Sequence, residues 1–283
     1  MEKEGIKYPN LGSQYDFQDE VGRGGTGVVY LAIDTHSGLP VAIKTLFASI
    51  SDNNPEMLEK FRIEANIYLM LSHPNIVKLK NFLLLNGAHL VMEYLEGQAM
   101  DEYISNVTGP IPTEVTVAMM KGIVSAIGYA HNKRIAIDGY DGVLHLDIKP
   151  GNILIGKQGE VKVIDYGISQ GSHEERGEKI MGSPMYMAPE QLDIKAKLTP
   201  QTDIYALGVL LYQMITGETP YSKTSTKEDL FNSIKNKPLK RIADVYPFAD
   251  NRLQFIIDKA TKKYPHNRYK DCNELLAALE EIN

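Results

Sequence analysis

Short apolar runs separated by turn residues occupy the first hundred positions of the chain. The runs Val28–Ile33 and Leu39–Leu46 flank a polar turn that contains glycine, so they are expected to pair as an antiparallel hairpin. The runs Val77–Leu85 and His89–Tyr94 flank an Asn-Gly dipeptide, which is a strong hairpin signal. The pattern therefore predicts two β-hairpins in this part of the chain.

Helical spacing of apolar residues replaces the strand pattern in the rest of the chain. Between the two hairpins, Glu56–Leu71 carries apolar side chains at helical spacing. The strand pattern ends near Leu95–Gln98, and the segments Val115–Ala130, Ile204–Thr216 and Leu253–Thr261 then follow the helical period. We expect an α+β protein, in which a small antiparallel sheet lobe with one main helix precedes a larger, mostly α-helical lobe.

The composition is that of an ordinary globular protein. Apolar residues make up 43% and charged residues 23%, which excludes a disordered or fibrous chain. The formal net charge of −6 argues against nucleic acid as a partner, and no apolar run reaches the roughly 20 residues that cross a bilayer. The densest basic cluster is interpreted as a solvated helix end and consists of Lys259, Lys262, Lys263, His266, Arg268 and Lys270.

Two features of the sequence indicate a cytoplasmic protein. Cys272 is the single cysteine, so no intramolecular disulfide can form, which fits a reducing compartment. The amino terminus mixes charges of both signs without an apolar run, and it therefore lacks the pattern of a secretory signal. Residues 1–14 are polar and contain glycine and proline, which predicts a flexible leader.

A glycine-rich segment, GRGGTG at 22–27, matches the pattern G-x-G-x-x-G. A Rossmann fold needs a helix that opens on the last glycine, whereas the strand-like Val28–Leu31 follows here, so that fold is excluded. Two interpretations remain. The segment is either a hairpin turn whose backbone N–H groups approach nucleotide phosphates, or a turn without a ligand.

Lys44, on the strand after the glycine-rich turn, favours the phosphate-binding interpretation. A carboxylate on the following helix could hold its ammonium group against the α- and β-phosphates of a nucleotide. Glu64 is the preferred partner, because its apolar neighbours mark the inward face of the predicted helix. Glu56 and Glu59 are the competing carboxylates.

Three further segments carry a resemblance to a known family. HLDIKPGN at 145–152, DYG at 165–167 and APE at 188–190 resemble the catalytic loop, the metal-binding motif and the end of the activation segment of protein kinases. With the glycine-rich segment and Lys44 they follow the family's order. The resemblance covers roughly Tyr15 to Ile282.

Two longer segments narrow the resemblance. GSPMYMAPE at 182–190 and TDIYALGV at 202–209 are similar to bacterial Hanks-type serine/threonine kinases. The resemblance implies a kinase domain over 15–283 with the bilobal kinase fold: an N-lobe over 15–95, a hinge at about 93–98 and a C-lobe over 99–283. It also implies transfer of the γ-phosphoryl group of ATP to serine or threonine hydroxyls of proteins.

Catalysis in this family depends on positioning and on cations that stabilise charge on the transferred phosphoryl group. By the resemblance, Asp147 orients the substrate hydroxyl and accepts its proton, Lys149 reaches the γ-phosphate, and the Ser183 hydroxyl bridges these two side chains. The implied catalytic set is Asp147, Lys149, Lys44, Glu64 and Ser183.

The resemblance also implies a binding site for ATP and a divalent metal. Asn152 and Asp165 are expected to hold Mg²⁺, with Mn²⁺ as a second candidate. Met92 is expected as the gatekeeper, while backbone groups of Glu93 and Leu95 bond to the adenine. The implied nucleotide-binding set is Val21, Gly22, Gly24, Gly25, Gly27, Val29, Ala42, Lys44, Met92, Glu93, Leu95, Leu154 and Ile164.

Four supporting residues are expected around the catalytic loop. By the resemblance, Glu190 and Arg268 form a buried ion pair that fixes the activation segment, and Asp203 anchors the backbone of the catalytic loop. His145 is expected to pack and to form hydrogen bonds rather than to transfer protons.

The sequence departs from the family pattern in four places, one of which is Ser183, where a threonine is usual. Leu146 replaces the arginine that usually receives an activation-loop phosphate, so we expect activity that is not strictly dependent on activation-loop phosphorylation. Tyr166 replaces phenylalanine and keeps the ring. The extra residues within 134–142 predict an extended hairpin, which is either a docking element or, as favoured here, an inert insertion.

Two other functions compete with a protein kinase. A nucleotide-binding pseudokinase is disfavoured by the intact Lys44, Asp147, Asn152 and Asp165, and a small-molecule kinase is disfavoured by Pro184 and the complete APE segment. The expected partners are ATP and a protein substrate with serine or threonine, and a homodimer is a candidate arrangement for trans-autophosphorylation. The expected acceptors for autophosphorylation are Ser169, Ser172 and Ser183.

Overall fold

A computed structural model defines the fold over residues 8–24, 27–47, 62, 65–106, 110–134, 142–166, 170–171, 183–221 and 226–282. The chain divides into two compact units. The first comprises Met1–His73 and Val77–Glu96, and the second comprises Pro74–Ile76 and Gly97–Asn283.

The first unit is built on a five-stranded antiparallel sheet with the strand order β1-β2-β3-β5-β4. Its strands are β1 Tyr15–Arg23, β2 Gly27–Asp34, β3 Pro40–Leu46, β4 Leu79–Leu84 and β5 Ala88–Glu93. Both predicted hairpins are confirmed. In the turn between β4 and β5, Asn86 and Gly87 take positive φ angles of 53° and 125°, as a tight hairpin turn requires.

Residues that precede β1 are part of the folded core of this unit. Leu11 is only 5% exposed and packs in one cluster with Tyr15 and Val41. The Tyr8 ring stacks on Phe17 with ring centroids 5.4 Å apart. The expectation of a flexible leader is therefore wrong for residues 8–14, because an apolar side chain at position 11 buries itself against the sheet.

The helix predicted over 56–71 is described only in part. Arg62 and residues 65–69 are helical. Met70 lies in a turn, and Leu71 has no regular secondary structure. Ala65, Ile67 and Tyr68 are buried, and the Tyr68 hydroxyl donates to the Val77 carbonyl at 2.6 Å. Glu64, the predicted partner of Lys44, lies outside the described residues.

The second unit is mainly helical, as the periodicity predicts. Its helices are α1 Met100–Asn106, α2 Thr113–His131, α3 Pro200–Thr216, α4 Lys227–Asn236, α5 Ile242–Val245, α6 Arg252–Ala260 and α7 Cys272–Glu280. Short 3-10 turns occur at Pro150–Asn152, Pro184–Tyr186, Pro189–Leu192 and Pro265–Asn267. Among the helices of the described residues, none has the length and apolar character needed to cross a membrane.

Helix α3 forms the centre of this unit. It begins at Pro200, where the missing N–H of proline costs no helical hydrogen bond, and it ends at Gly217, whose φ of 73° suits a helix C-cap. Most of its side chains are buried, including the polar Thr202 and Asp203. A helix buried on nearly all sides is a rigid support for the loops that pack on it.

Two small sheets complete the second unit. One has the order β6-β8-β9, and the other pairs β10 with β7. Their strands are β6 Gly97–Ala99, β7 Val143–Leu144, β8 Ile153–Gly156, β9 Val161–Val163 and β10 Gln170–Gly171. The second apolar run of the predicted hairpin, Val143–Leu144, forms β7, which pairs with β10. Residues 135–141, which hold the predicted first run and most of the turn, lie outside the described residues.

Candidate active site

Asp147 is held by three neighbouring groups. Its Oδ2 accepts from Lys149 Nζ at 2.6 Å and from Asn152 Nδ2 at 3.0 Å, and its Oδ1 accepts from the Ser183 backbone N–H at 2.8 Å. The side chain is 13% exposed. The carboxylate is thus fixed in orientation and still accessible to solvent.

Ser183 joins this group in a different way from the expected one. Its Oγ accepts from Lys149 Nζ at 2.8 Å, while its backbone N–H, and not its hydroxyl, bonds to Asp147. Ser183 thus contacts both Lys149 and Asp147, as predicted, but its hydroxyl makes only the contact with Lys149. The short 3-10 turn at Pro184–Tyr186 begins directly after Ser183 and orients its amide.

The backbone before Asp147 is held by Asp203, as expected. Asp203 is 1% exposed, its Oδ2 accepts from the His145 N–H at 2.7 Å, and its Oδ1 accepts from the Leu146 N–H at 2.8 Å. Leu146 has a φ of 63°, a left-handed conformation that is strained for a residue with a Cβ. Buried hydrogen bonds maintain this strained conformation next to Asp147.

His131 supports Asp203 from the end of α2. His131 Nε2 lies 2.8 Å from Asp203 Oδ2, and its Nδ1 lies 3.7 Å from the Cys272 sulfur. Burial alone would lower the pKa of His131, but the Asp203 carboxylate and the Cys272 sulfur together raise this pKa to about 10. The imidazolium cation offsets the negative charge of Asp203, whose pKa is lowered in spite of burial by its bond to His131.

His145 has the packing role expected from the sequence. Its ring lies 4.7 Å from the Tyr166 ring, its Nε2 lies 3.1 Å from the Ile164 carbonyl, and its Nδ1 accepts from the Asp147 N–H at 3.3 Å. The backbone partners require the tautomer with hydrogen on Nε2. In that state the ring joins the catalytic loop to the segment that carries Asp165.

Glu190 and Arg268 form the predicted ion pair. The two terminal guanidinium nitrogens of Arg268, Nη1 and Nη2, donate to the Glu190 carboxylate at 2.6 and 2.8 Å. The Arg268 side chain is fully buried. Arg268 also donates to the carbonyls of Lys262, Lys263 and Gln201. The pair is therefore satisfied on all sides, which a buried charge requires.

The basic cluster noted in the sequence is divided by the fold. Arg268 is used in the ion pair, and Lys263 donates to the Ile234 carbonyl at 2.7 Å. Lys259 pairs with Glu274, at 2.5 Å. The interpretation as a solvated helix end is therefore wrong for the buried Arg268, whereas Lys262, His266 and Lys270 are exposed.

The oxygen donors expected for a divalent metal are Asn152 and Asp165. Asn152 donates its Nδ2 to the Asp147 backbone carbonyl and side chain, which leaves its amide oxygen as the available ligand atom. Asp165 takes a φ of 65°, another left-handed residue at this site. Within the described part of the chain, no three His, Cys, Asp or Glu residues are grouped to hold a metal. This donor set suits Mg²⁺, which takes few protein ligands and keeps its remaining positions for phosphate oxygens and water.

In the first unit, strand register brings four predicted nucleotide-binding residues to one face of the sheet. Val29 pairs with Lys44, and Ala42 pairs with Met92. Directly opposed residues share a face, and so do positions two apart on one strand. Val29, Ala42, Lys44 and Met92 therefore lie together.

The glycine-rich turn has a local structural reason for one of its glycines. A Cβ at Gly27 would lie 2.2 Å from the Thr45 carbonyl oxygen, so glycine is required for β2 to pair with β3. Gly22 pairs with Val29 across β1 and β2, and the Gly24 N–H donates to the Gly27 carbonyl at 2.9 Å. Gly25 lies outside the described residues. Val21, at the end of β1, is 47% exposed.

The remaining predicted nucleotide-binding residues lie near the ends of strands. Glu93 ends β5, and its N–H donates to the Lys78 carbonyl. Leu95 follows it in an irregular segment. In the second unit, Leu154 lies on β8, and Ile164 follows β9 and donates its N–H to the Asn152 carbonyl.

Sequence reasoning missed the role of Gln191. This residue is 2% exposed and bonds to backbone groups of Ala188 and Leu146. A glutamine directly after the APE segment gives no signal in the sequence, because its partner lies 45 residues away. His131 was missed for the same reason, since its partner Asp203 is 72 residues away.

Comparisons with known proteins indicate the family of the chain. The family model of the protein kinase domain matches residues 15–279 of the chain. A probable serine/threonine-protein kinase of Clostridium perfringens is 34% identical over 279 residues, which is 96% of this chain and 38% of that protein. The serine/threonine-protein kinase PrkC of Bacillus subtilis is 33% identical over 275 residues, covering 95% of this chain and 40% of that protein.

A third relative extends the same pattern. The serine/threonine-protein kinase PknB of Mycolicibacterium smegmatis is 30% identical over 287 residues, covering 97% of this chain and 44% of that protein. The chain thus spans about two fifths of the length of these curated relatives. Since the family model covers nearly the whole chain, the chain belongs to the protein kinase family.

Proposed function

We propose that this chain is a serine/threonine protein kinase that transfers the γ-phosphoryl group of ATP to serine or threonine hydroxyls of proteins. The observation that carries the proposal is the arrangement around Asp147. One carboxylate oxygen contacts Lys149 and Asn152, and the other is fixed by the Ser183 amide. An accessible carboxylate beside a lysine is the arrangement that phosphoryl transfer to a hydroxyl needs.

The proposed reaction assigns one task to each of these side chains. Asp147 accepts a hydrogen bond from the substrate hydroxyl and takes its proton as the new oxygen–phosphorus bond forms. The bond between the γ-phosphorus and the β-γ bridging oxygen breaks, and ADP leaves. Lys149, held by Asp147 and Ser183, stabilises negative charge on the transferred group.

Asn152 and Asp165 are the residues proposed to hold the divalent metal, Mg²⁺ with Mn²⁺ as a second candidate. When bound, the metal neutralises charge on the phosphate oxygens. The Asn152 side chain is oriented for this task by its two bonds to Asp147. The nucleotide-binding role of Val29, Ala42, Lys44 and Met92 is supported by their common face on the sheet of the first unit.

A protein substrate is favoured over a small molecule by the segment that follows Ser183. Tyr186 donates to Gln213 at 2.5 Å and packs against a buried cluster of Ala188, Tyr205 and Val209. This segment is therefore fixed on α3 next to Asp147, as a surface that receives an extended peptide must be. A pseudokinase is disfavoured by the intact set around Asp147.

We further propose that activity is not strictly dependent on activation-loop phosphorylation. Leu146 is buried in one apolar cluster with Leu144 and Leu198. Its backbone N–H is held by Asp203. Packing and buried hydrogen bonds thus support the loop at the position where the family motif usually has an arginine, and a leucine cannot pair with a phosphate.

The experiment that tests the proposed function compares Asp147→Asn with the wild-type protein. Purified protein is incubated with labelled ATP, Mg²⁺ and a generic protein substrate, and the phosphorylated residue is identified by mass spectrometry. Asp147→Asn is expected to lower kcat by at least about a hundredfold while ATP still binds. Asp193→Asn, an exposed aspartate in a turn, is the control and is expected to keep normal activity. Equal rates for Asp147→Asn and wild type, or predominant phosphotyrosine, would contradict the proposal.

A further inference from the structure

Gln191 connects the segment after the APE motif to the residue that precedes Asp147. Its Oε1 accepts from the Ala188 N–H at 2.9 Å, and its Nε2 donates to the Leu146 carbonyl at 3.1 Å. The orientation of the amide is fixed by these partners, because an N–H can only donate and a carbonyl can only accept. Gln191 therefore connects Ala188 to Leu146 with its side-chain amide in one orientation.

Leu146 is held by hydrogen bonds to both of the peptide units that flank its Cα. Its φ of 63° is a left-handed conformation that is strained for a residue with a Cβ. Asp203 accepts from its N–H, and Gln191 donates to its carbonyl. The carbonyl of Leu146 belongs to the peptide bond that leads into Asp147, so the Gln191 bond acts on the orientation of the catalytic carboxylate.

Gln191 is itself anchored from the other side. Glu190, its neighbour in the turn Pro189–Leu192, holds the buried pair with Arg268. The turn is therefore fixed by Arg268, and the Gln191 side chain is directed from this fixed turn towards the catalytic loop. Such a rigid connection suits a residue that positions another one.

We propose that Gln191 is a positioning residue for phosphoryl transfer: it holds the Leu146 carbonyl and thereby keeps Asp147 in its reactive orientation. This inference rests on the proposed function, and it adds a positioning residue that lies outside the expected catalytic set. A small displacement of a catalytic group lowers the rate steeply, while the binding of ATP is unaffected.

Gln191→Glu removes the hydrogen bond to the Leu146 carbonyl and keeps the hydrogen bond from the Ala188 N–H. The introduced carboxylate still accepts from the Ala188 N–H, but it presents an oxygen to the Leu146 carbonyl and so replaces attraction by repulsion. Because this site is buried, the pKa of the introduced carboxyl is expected to rise. At lower pH it becomes protonated and can donate to the Leu146 carbonyl again.

The matched control is Gln254→Glu on α6. Gln254 is also buried, its Oε1 accepts from the Ile242 N–H at 2.7 Å, and its Nε2 donates to Asp258 at 2.7 Å. The same substitution there disturbs a similar pair of bonds away from the catalytic loop. It therefore reports the effect of a buried glutamate on stability alone.

The test measures kcat and KM for ATP from pH 6 to 8, with thermal stability, for wild type and both variants. We expect Gln191→Glu to lower kcat at pH 8 roughly ten- to a hundredfold, to leave KM for ATP within about twofold, and to recover part of kcat at pH 6. Gln254→Glu is expected to keep the wild-type kcat and pH profile. A wild-type kcat for Gln191→Glu, or a loss without pH recovery that Gln254→Glu reproduces, would overturn the inference.

Hydrogen exchange of residues 143–149 gives a readout that is independent of activity. Exchange is expected to accelerate in Gln191→Glu and to stay unchanged in Gln254→Glu. Unchanged exchange in Gln191→Glu would also refute the inference. A wild-type protein without activity on any serine or threonine substrate would instead refute the proposed function, and the exchange measurement would still test the role of Gln191.

Discussion

The buried pair of His131 and Asp203 makes the stability of the second unit depend on pH in a window set by His131. The pKa of His131 is about 10 in the folded chain and has a reference value of 6.5. Between these two values the folded state binds more protons than the unfolded state, so the free energy of unfolding falls as pH rises. The slope is about 1.4 kcal/mol per pH unit, which gives a loss of about 2.7 kcal/mol between pH 7 and pH 9.

The perturbation that reveals this slope is His131→Gln. The amide can still donate to Asp203, but it does not titrate. The difference in free energy of unfolding between wild type and His131→Gln is therefore expected to shrink by about 2.7 kcal/mol from pH 7 to pH 9. Since the chain has no tryptophan, urea unfolding is followed by far-UV circular dichroism, which reports mainly the helices.

His89→Gln is the matched control for this measurement. His89 is also buried and bonds to Thr45 and Leu85, but burial lowers the pKa of His89. A histidine with a lowered pKa changes stability only below its unfolded value of 6.5, so its difference from wild type is expected to stay constant from pH 7 to pH 9. A constant difference for His131→Gln over the same range would refute the charged pair.

Two further predictions concern the activation segment. Protein treated with phosphatase is expected to keep most of its initial rate, and Ser169→Ala and Ser172→Ala are expected to have nearly wild-type rates. Ser183→Ala is expected to lower the rate, because it removes the contact with Lys149. A tenfold drop after phosphatase treatment that incubation with ATP restores would contradict the role given to Leu146. Arg268→Lys is expected to lower the free energy of unfolding by about 3 kcal/mol, because a lysine cannot make the two parallel bonds to Glu190 and leaves buried acceptors unpaired. Urea unfolding checks it, and a loss below about 1 kcal/mol would show that the pair is replaceable.

Local patterns in the sequence were sufficient to predict the main elements. The hairpin between β4 and β5 follows from Asn86 and Gly87, whose positive φ angles are a property of those two residues. Helices α2 and α3 follow from their apolar residues, because one broad face of α2 and nearly the whole surface of α3 enter a core. The family was also evident, since its motifs consist of short runs of neighbouring residues.

The supporting contacts of the site could not be predicted in the same way. Residues 8–14 look like a polar leader until Leu11 is seen to have a place in the core. Ser183 was expected to reach Asp147 with its hydroxyl, whereas backbone geometry presents its N–H instead. Such details depend on the path of the chain and not on residue type.

The sequence by itself thus determined the class of fold, the kinase family and the residues expected to meet the substrate. The tertiary structure alone decided which groups hold those residues in position and in what state of charge. His131 is an ordinary histidine in the sequence, and it becomes a cation because the fold brings its ring to Asp203, 72 residues away, and to Cys272. Gln191 gains its role from a bond that spans 45 residues. Local preference cannot encode either contact, because both exist only after the chain has folded and excluded water around them.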